Sequence, residues 1–232
     1  MPDAASKVRM GSVAVAAGVV VYVILDIVAQ ILPPHYSPIH QAESDLAVGP
    51  YGYIMRINFV IRGLLSLALI FAVAKTLGKA KLRWGMGIFG IWAVTSLLLT
   101  FFNTDILDDP KLVPVLHHTW HGELHIVLAA IGFIAAPVGA ILVALVFFES
   151  GEFKSAGRVS LVLALISLMA LLAMKPIAKI HASGGLGERI FLVTVLIWML
   201  HTAFVLMAAA KKGTKENLLT DRSSLEGRAL DF

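Results

Sequence analysis

The sequence predicts an all-α protein, a single bundle of about six transmembrane helices with both termini in the cytoplasm. Three observations carry that expectation. The composition is too apolar for a water-facing surface: of 232 residues, 58% are hydrophobic and 15% charged, with a mean hydropathy of +0.85, whereas a soluble domain carries roughly a quarter charged residues. Six apolar runs, over residues 10–32, 54–74, 84–102, 119–148, 159–174 and 188–210, each approach the roughly 20 residues that cross a bilayer core. Finally, 13 of the 19 Lys and Arg fall in alternate connections, before run 1, between runs 2 and 3, between runs 4 and 5, and after run 6. The positive-inside rule places those segments in the cytoplasm.

Each run supports the pattern in its own way. Lys7 and Arg9 precede the first, as they would precede a signal peptide. That run exceeds the 7–15 residues of a signal h-region and lacks a following small-residue cleavage site, so it reads as a retained helix. Tyr51, Tyr53, Phe101, Phe102 and Trp120 mark the outer edges of their runs, and Trp84, Phe147 and Phe148 the inner ones, as aromatic belts do. The fourth run is long, and Pro137 is expected to bend it. Residues 1–210 form the membrane domain, and residues 211–232 a polar, mobile cytoplasmic tail. The basic balance, net +4, belongs to these inner loops and not to a nucleic-acid surface. With no cysteine, thiolate metal sites, disulfides and cysteine nucleophiles are excluded.

The outward connections hold the unusual chemistry. Seven of the eight histidines lie there, at 35, 40, 117, 118, 121, 125 and 181. The sharpest grouping is His118, His121 and His125 at the start of run 4, whose spacings of three and four residues share one helical stripe. Two imidazoles at i and i+4 can share a divalent metal such as zinc, with His118 or Asp105 completing the set. Glu123 points elsewhere, so this is not the HExxH pattern. A plain interfacial role for these histidines stays open. A haem stays open too, although His201 has no partner histidine at its depth.

Charge inside the membrane is the second grouping. Asp26 and Arg62 fall about 9 and 12 Å below their helix ends at 1.5 Å per residue. A lone charge there costs at least ~2.5–3.5 kcal/mol, so the two are expected to pair, with Asn58 a turn above Arg62. The pair would either hold helices together or face a substrate, since arginine clamps phosphate and carboxylate groups. The third grouping, Gly184-Gly185-Leu186-Gly187-Glu188-Arg189, is either a flexible turn or an anion nest at a helix N-terminus that Arg189 would reinforce. Ser44 reads as a helix N-cap in preference to a reactive hydroxyl.

Three segments in order carry a resemblance. They are Ser44-Asp45-Leu46-Ala47 with Gly49-Pro50-Tyr51-Gly52, then Phe102-Asn103-Thr104-Asp105 with His121-Gly122-x-x-His125, then Gly185-Leu186-Gly187-Glu188-Arg189-Ile190. Together they resemble a prokaryotic six-helix membrane family known only as domain of unknown function 998, over roughly residues 13–210. The resemblance implies the topology and no activity. The site is more loosely similar in chemistry to the alkaline-ceramidase and adiponectin-receptor membrane hydrolases, which implies catalytic parts for Ser44 and Asp105 and metal ligation by His121 and His125. That group typically has seven helices, with its histidine pair on the last.

Three functions are therefore carried forward for a multi-pass protein of the cell membrane whose polar site faces outward. One is a metal-dependent hydrolase or lipid-modifying enzyme, with Asp26, Arg62, Asn58 and Arg189 holding a lipid or an anionic small molecule. The second is a transporter or ligand-binding protein lined by the same groups, and the third a structural or regulatory membrane protein.

Overall fold

A computed structural model describes residues 4–33, 35–77, 82–105, 119–181 and 184–229. It contains six α-helices: α1 Ala4–Ile31, α2 Gly52–Leu77, α3 Leu82–Leu98, α4 Trp120–Glu149, α5 Lys154–His181 and α6 Gly184–Ala229. Short 3-10 turns occupy Glu43–Ala47 and Gly151–Phe153, and no strand occurs among the described residues. Five of the helices are long and apolar enough to cross a membrane; α3, with 17 residues, is shorter. At 1.5 Å per residue α3 still reaches about 26 Å. It ends before the expected boundary because the chain tightens at once into a turn, Phe101 N–H donating to Leu98 O at 2.9 Å. α4 continues through Pro137, and α6 continues past Ala210 into the polar segment that the sequence sets apart from the membrane domain.

The helices form a closed ring in chain order. Each packs on the next and α6 returns to α1, while α2 also reaches α6 across the middle. The sequence alone hides which face of each helix looks inward, because the spans are apolar on every side. The interior holds Ser66, Thr95, Ser96, Ala135, Ala136, Ala140 and Ala144, while Val20, Ile24, Ile27, Ile131, Ile134 and Met169 look outward. Lipid tails are as apolar as leucine, so helices in a bilayer associate through close packing and not through hydrophobicity. At Gly139 a Cβ would sit 2.6 Å from the amide nitrogen of Phe89, so only glycine allows α3 and α4 this approach.

Most of the core is one apolar mass around Trp92, Phe89, Trp198, Phe191 and Phe147. Phe147 is fully buried and stacks on Phe153, so it is a core residue and not the interfacial anchor expected from its position. Trp84 and Trp120, in contrast, are exposed at helix ends as a belt requires. A second, smaller cluster of Leu46, Ala47, Ile54, Met55, Phe59 and Leu99 lies where residues 32–51 join α1 to α2. It pulls that connection, loop 1, down into the bundle.

Candidate functional site

The apolar pair Leu46–Ala47 is what makes loop 1 structural. Burying it carries the preceding turn inward, and Glu43 is carried with it, to 3% exposure. Ser44 is not the cap of this turn. Ala42 precedes it, and the Asp45 carboxylate accepts from the Ala42 amide at 3.1 Å, closing the turn. Ser44 faces the cavity described below.

Glu43 meets Arg62, buried to 2% exposure on α2. Arg62 Nη1 lies 3.5 Å from Glu43 Oε2, and its Nε donates to Ser96 Oγ at 3.0 Å. Tyr22 Oη donates to Glu43 Oε1 at 2.6 Å and accepts from Arg62 Nη1 at 3.5 Å. The guanidinium also lies over the rings of Trp92 and Phe59, at 4.6 and 5.2 Å from their centroids. A buried charge survives only when paired and hydrogen-bonded in this way. The expected Asp26–Arg62 pair is therefore replaced: the loop supplies the carboxylate, and Asp26 instead accepts from Gln30 Nε2 at 2.6 Å on its own helix. Asn58 donates to the Tyr22 carbonyl at 3.0 Å, tying α2 to α1.

The start of α6 is the opposite of an anion nest. Leu186 N–H donates to Ile39 O at 3.0 Å, and Gly185 packs against the carbonyls of Gln41 and Pro38 so closely that a Cβ would collide with them. Arg189 Nη1 donates to Pro38 O at 3.0 Å and Gln41 O at 3.2 Å, and its Nη2 to Tyr36 Oη. Loop carbonyls thus occupy both the helix end and the arginine. Burial pushes the Tyr36 phenol above its ordinary range, with Arg189 opposing, so the hydroxyl stays protonated and donates to Ala42 O at 2.6 Å. Glu188, adjacent in sequence, turns inward and accepts from the Glu43 amide at 3.1 Å.

The histidine motif separates into different jobs. Asp105 accepts from Thr119 N at 2.9 Å and Thr119 Oγ1 at 2.7 Å, while Thr119 Oγ1 accepts from Gly122 N at 3.0 Å. This is an N-cap braced by a carboxylate. It explains the glycine after His121, because the Asp105 carboxylate lies where a Cβ would stand. His121 packs at a tilt against Trp120, with ring centroids 3.8 Å apart. His125 is buried, and its Nδ1 lies 2.7 Å from Phe102 O. A carbonyl can only accept, so Nδ1 carries the proton and, in the neutral ring, Nε2 keeps its lone pair. Among the described residues no group of three His, Asp or Glu is arranged to hold a metal ion; His118 lies outside the described residues. His201 is a hydrogen-bonded helix residue, its Nε2 3.2 Å from Ala156 O.

These groups surround a cavity of about 570 Å³ between loop 1, α2, α4, α5 and α6. Its lining combines the polar groups Glu43, Arg62, His125 and Glu188 with the apolar Phe59, Ala129, Phe133 and Leu171. Ile126, Ile134, Leu172 and Lys175, all exposed, also line it. They belong to the exposed sides of α4 and α5, so the cavity opens sideways between these two helices. Of the residues singled out in the sequence, the cavity gathers Ser44, Arg62 and His125 and leaves out Asp26, Asn58, Asp105, His121 and Arg189. It adds Glu43 and Glu188, and the network behind it adds Tyr22. The signal for Glu43 was present: a buried arginine needs a carboxylate, and an apolar dipeptide in a polar loop must be buried.

The chain belongs to the family described as protein of unknown function DUF998, whose profile matches residues 16–205. No curated protein and no solved structure matches the chain. The six-helix architecture expected from the motif order is therefore accompanied by the family itself.

Proposed function

We propose that this DUF998 member binds an amphiphile that enters sideways from the bilayer, head group against the Glu43–Arg62–His125–Glu188 wall and chain between α4 and α5. The observation that carries the proposal is the cavity. It is of ligand size, mostly apolar, with a few buried polar groups in its lining, and its mouth lies between the exposed sides of α4 and α5. The basic loops at the opposite end argue that the site belongs to the outer leaflet of the cell membrane. Native mass spectrometry of the detergent-purified chain tests this. Wild type should retain one lipid, and Ala129→Trp, which fills the cavity from α4, should retain none. Equal retention by both overturns the proposal.

A second reading, a lipid-modifying hydrolase, is favoured by His125. The Phe102 carbonyl fixes the tautomer that leaves Nε2 as a base, and the ring lines the cavity. A zinc-dependent version would draw on His125 Nε2 with His121 and His118, since Asp105 is engaged by Thr119. Stoichiometric zinc in the purified protein, lost in His121→Ala/His125→Ala, would support the metal version. Metal-free protein that turns over lipid would assign the chemistry to His125 as a base.

A further inference from the structure

Resting on the amphiphile reading, the charge arrangement inside the cavity assigns a class of ligand. We propose that the bound amphiphile carries an ammonium head group, held by the Glu188 carboxylate. Arg62 is the obvious candidate to bind an anionic head group, but it is already committed. Its charge faces Glu43 at 3.5 Å, its Nε is bonded to Ser96, and its flat faces lie against Trp92 and Phe59. Glu43 is committed in return, to Arg62 and to the Tyr22 hydroxyl.

Glu188 differs from both. It is 9% exposed and lines the cavity, and among the described residues it accepts a hydrogen bond only from the Glu43 amide. No cation among the described residues forms an ion pair with it. Its neighbour Arg189 is turned the other way, toward the carbonyls of loop 1 and Tyr36. An acid in an apolar cavity without a resident cation is neutralised either by holding its proton or by a ligand that brings a cation, and the ligand that brings one is the one it selects. The Phe133 ring, which also lines the cavity, suits a cation over an anion. Lys175, exposed at the mouth, gives the site a direction, with carboxylate inside and cation at the rim. A head group with its ammonium at the tip and a phosphate nearer the chains matches that order.

The test is native mass spectrometry on the full chain in detergent, with four probes in equal amount. Dioleoyl phosphatidylethanolamine is compared with dioleoyl phosphatidylglycerol, and dodecylamine with dodecanol. Wild type should retain the amine-bearing member of a pair, and Glu188→Gln should lower that retention about tenfold or more, as the loss of a charge-assisted hydrogen bond implies. Preference within the phospholipid pair identifies a bilayer lipid as the source, and preference confined to the single-chain pair a free long-chain amine. The wild-type ranking is informative even if Glu188→Gln misfolds. Retention without any amine preference, or a preference that survives Glu188→Gln, overturns the assignment and leaves the cavity reading intact. Failure to retain any of the four, or retention unchanged by Ala129→Trp, overturns the cavity reading itself.

Discussion

The two ends of the bundle solve different problems with the same helices. Away from loop 1, the core of Trp198, Phe89 and Phe147 is closed by direct helix contact, with Gly139 bringing α3 and α4 together and Trp198 Nε1 donating to Ser160 Oγ at 2.7 Å. At the loop-1 end, the interior instead contains Arg62, Glu43, His125 and Glu188, and it encloses a cavity. Burying such groups is costly unless each is matched. A bundle that only had to pack would repeat its dry half at both ends. The contrast teaches that the polar half is specialised, because loop 1 is drawn into the membrane domain to furnish Glu43.

Breaking the pair should give the largest effect. Glu43→Ala leaves a buried guanidinium without its carboxylate and should cost about 3–5 kcal/mol. Thermal unfolding in detergent measures it, and Glu43→Leu/Arg62→Met should recover most of the loss because neither charge remains. Overpacking the dry half comes next. Gly139→Ala places a methyl against the Phe89 backbone and should cost about 1–3 kcal/mol by the same assay. The Thr119 cap is smaller. Thr119→Ala removes the acceptor for Gly122 N and should cost ~1 kcal/mol, with hydrogen exchange rising in the first turn of α4 and unchanged in α3.

The smallest effects belong to the surface. Lys212 and Glu152 lie 3.3 Å apart with both side chains more than half exposed, so Glu152→Gln should leave the melting temperature unchanged. Tyr36 adds a pH dependence. Its folded pKa is raised, so its contribution is complete below the ordinary tyrosine pKa of about 10 and is lost as pH rises beyond it. Wild type should lose stability relative to Tyr36→Phe in that alkaline range only, and an unchanged difference across it would contradict the burial of the phenol.

The sequence was most informative where one physical rule dominates. Length and hydropathy were enough for six helices, five of them long enough to span, because a bilayer imposes about 20 apolar residues per helix. Arg62 stood out as a charge inside an apolar run, and His125 through its spacing from His121. Partners were harder to read. Asp26 was the nearest acid in depth, but pairing depends on which faces meet, and spans apolar all round carry no such signal. Glu43 sits in a polar loop where an acid looks ordinary, and only the burial of Leu46 and Ala47 makes it unusual. The histidine stripe was legible as a spacing and not as a set of partners. Spacing put His121 and His125 on one side of α4, yet Trp120 and Phe102 claim the first ring and a carbonyl claims one nitrogen of the second.

Photocrosslinking addresses the sideways-open cavity most directly. A phospholipid with a diazirine on its acyl chain, reconstituted with wild-type protein and mapped by peptide mass spectrometry, reports where lipid chains enter the bundle. The cavity predicts dominant adducts at Ile126, Ala129, Ala130 and Leu171, lost in Ala129→Trp. Adducts spread evenly over exposed positions such as Val20, Ile24 and Met169, with the cavity residues unlabelled, would contradict it.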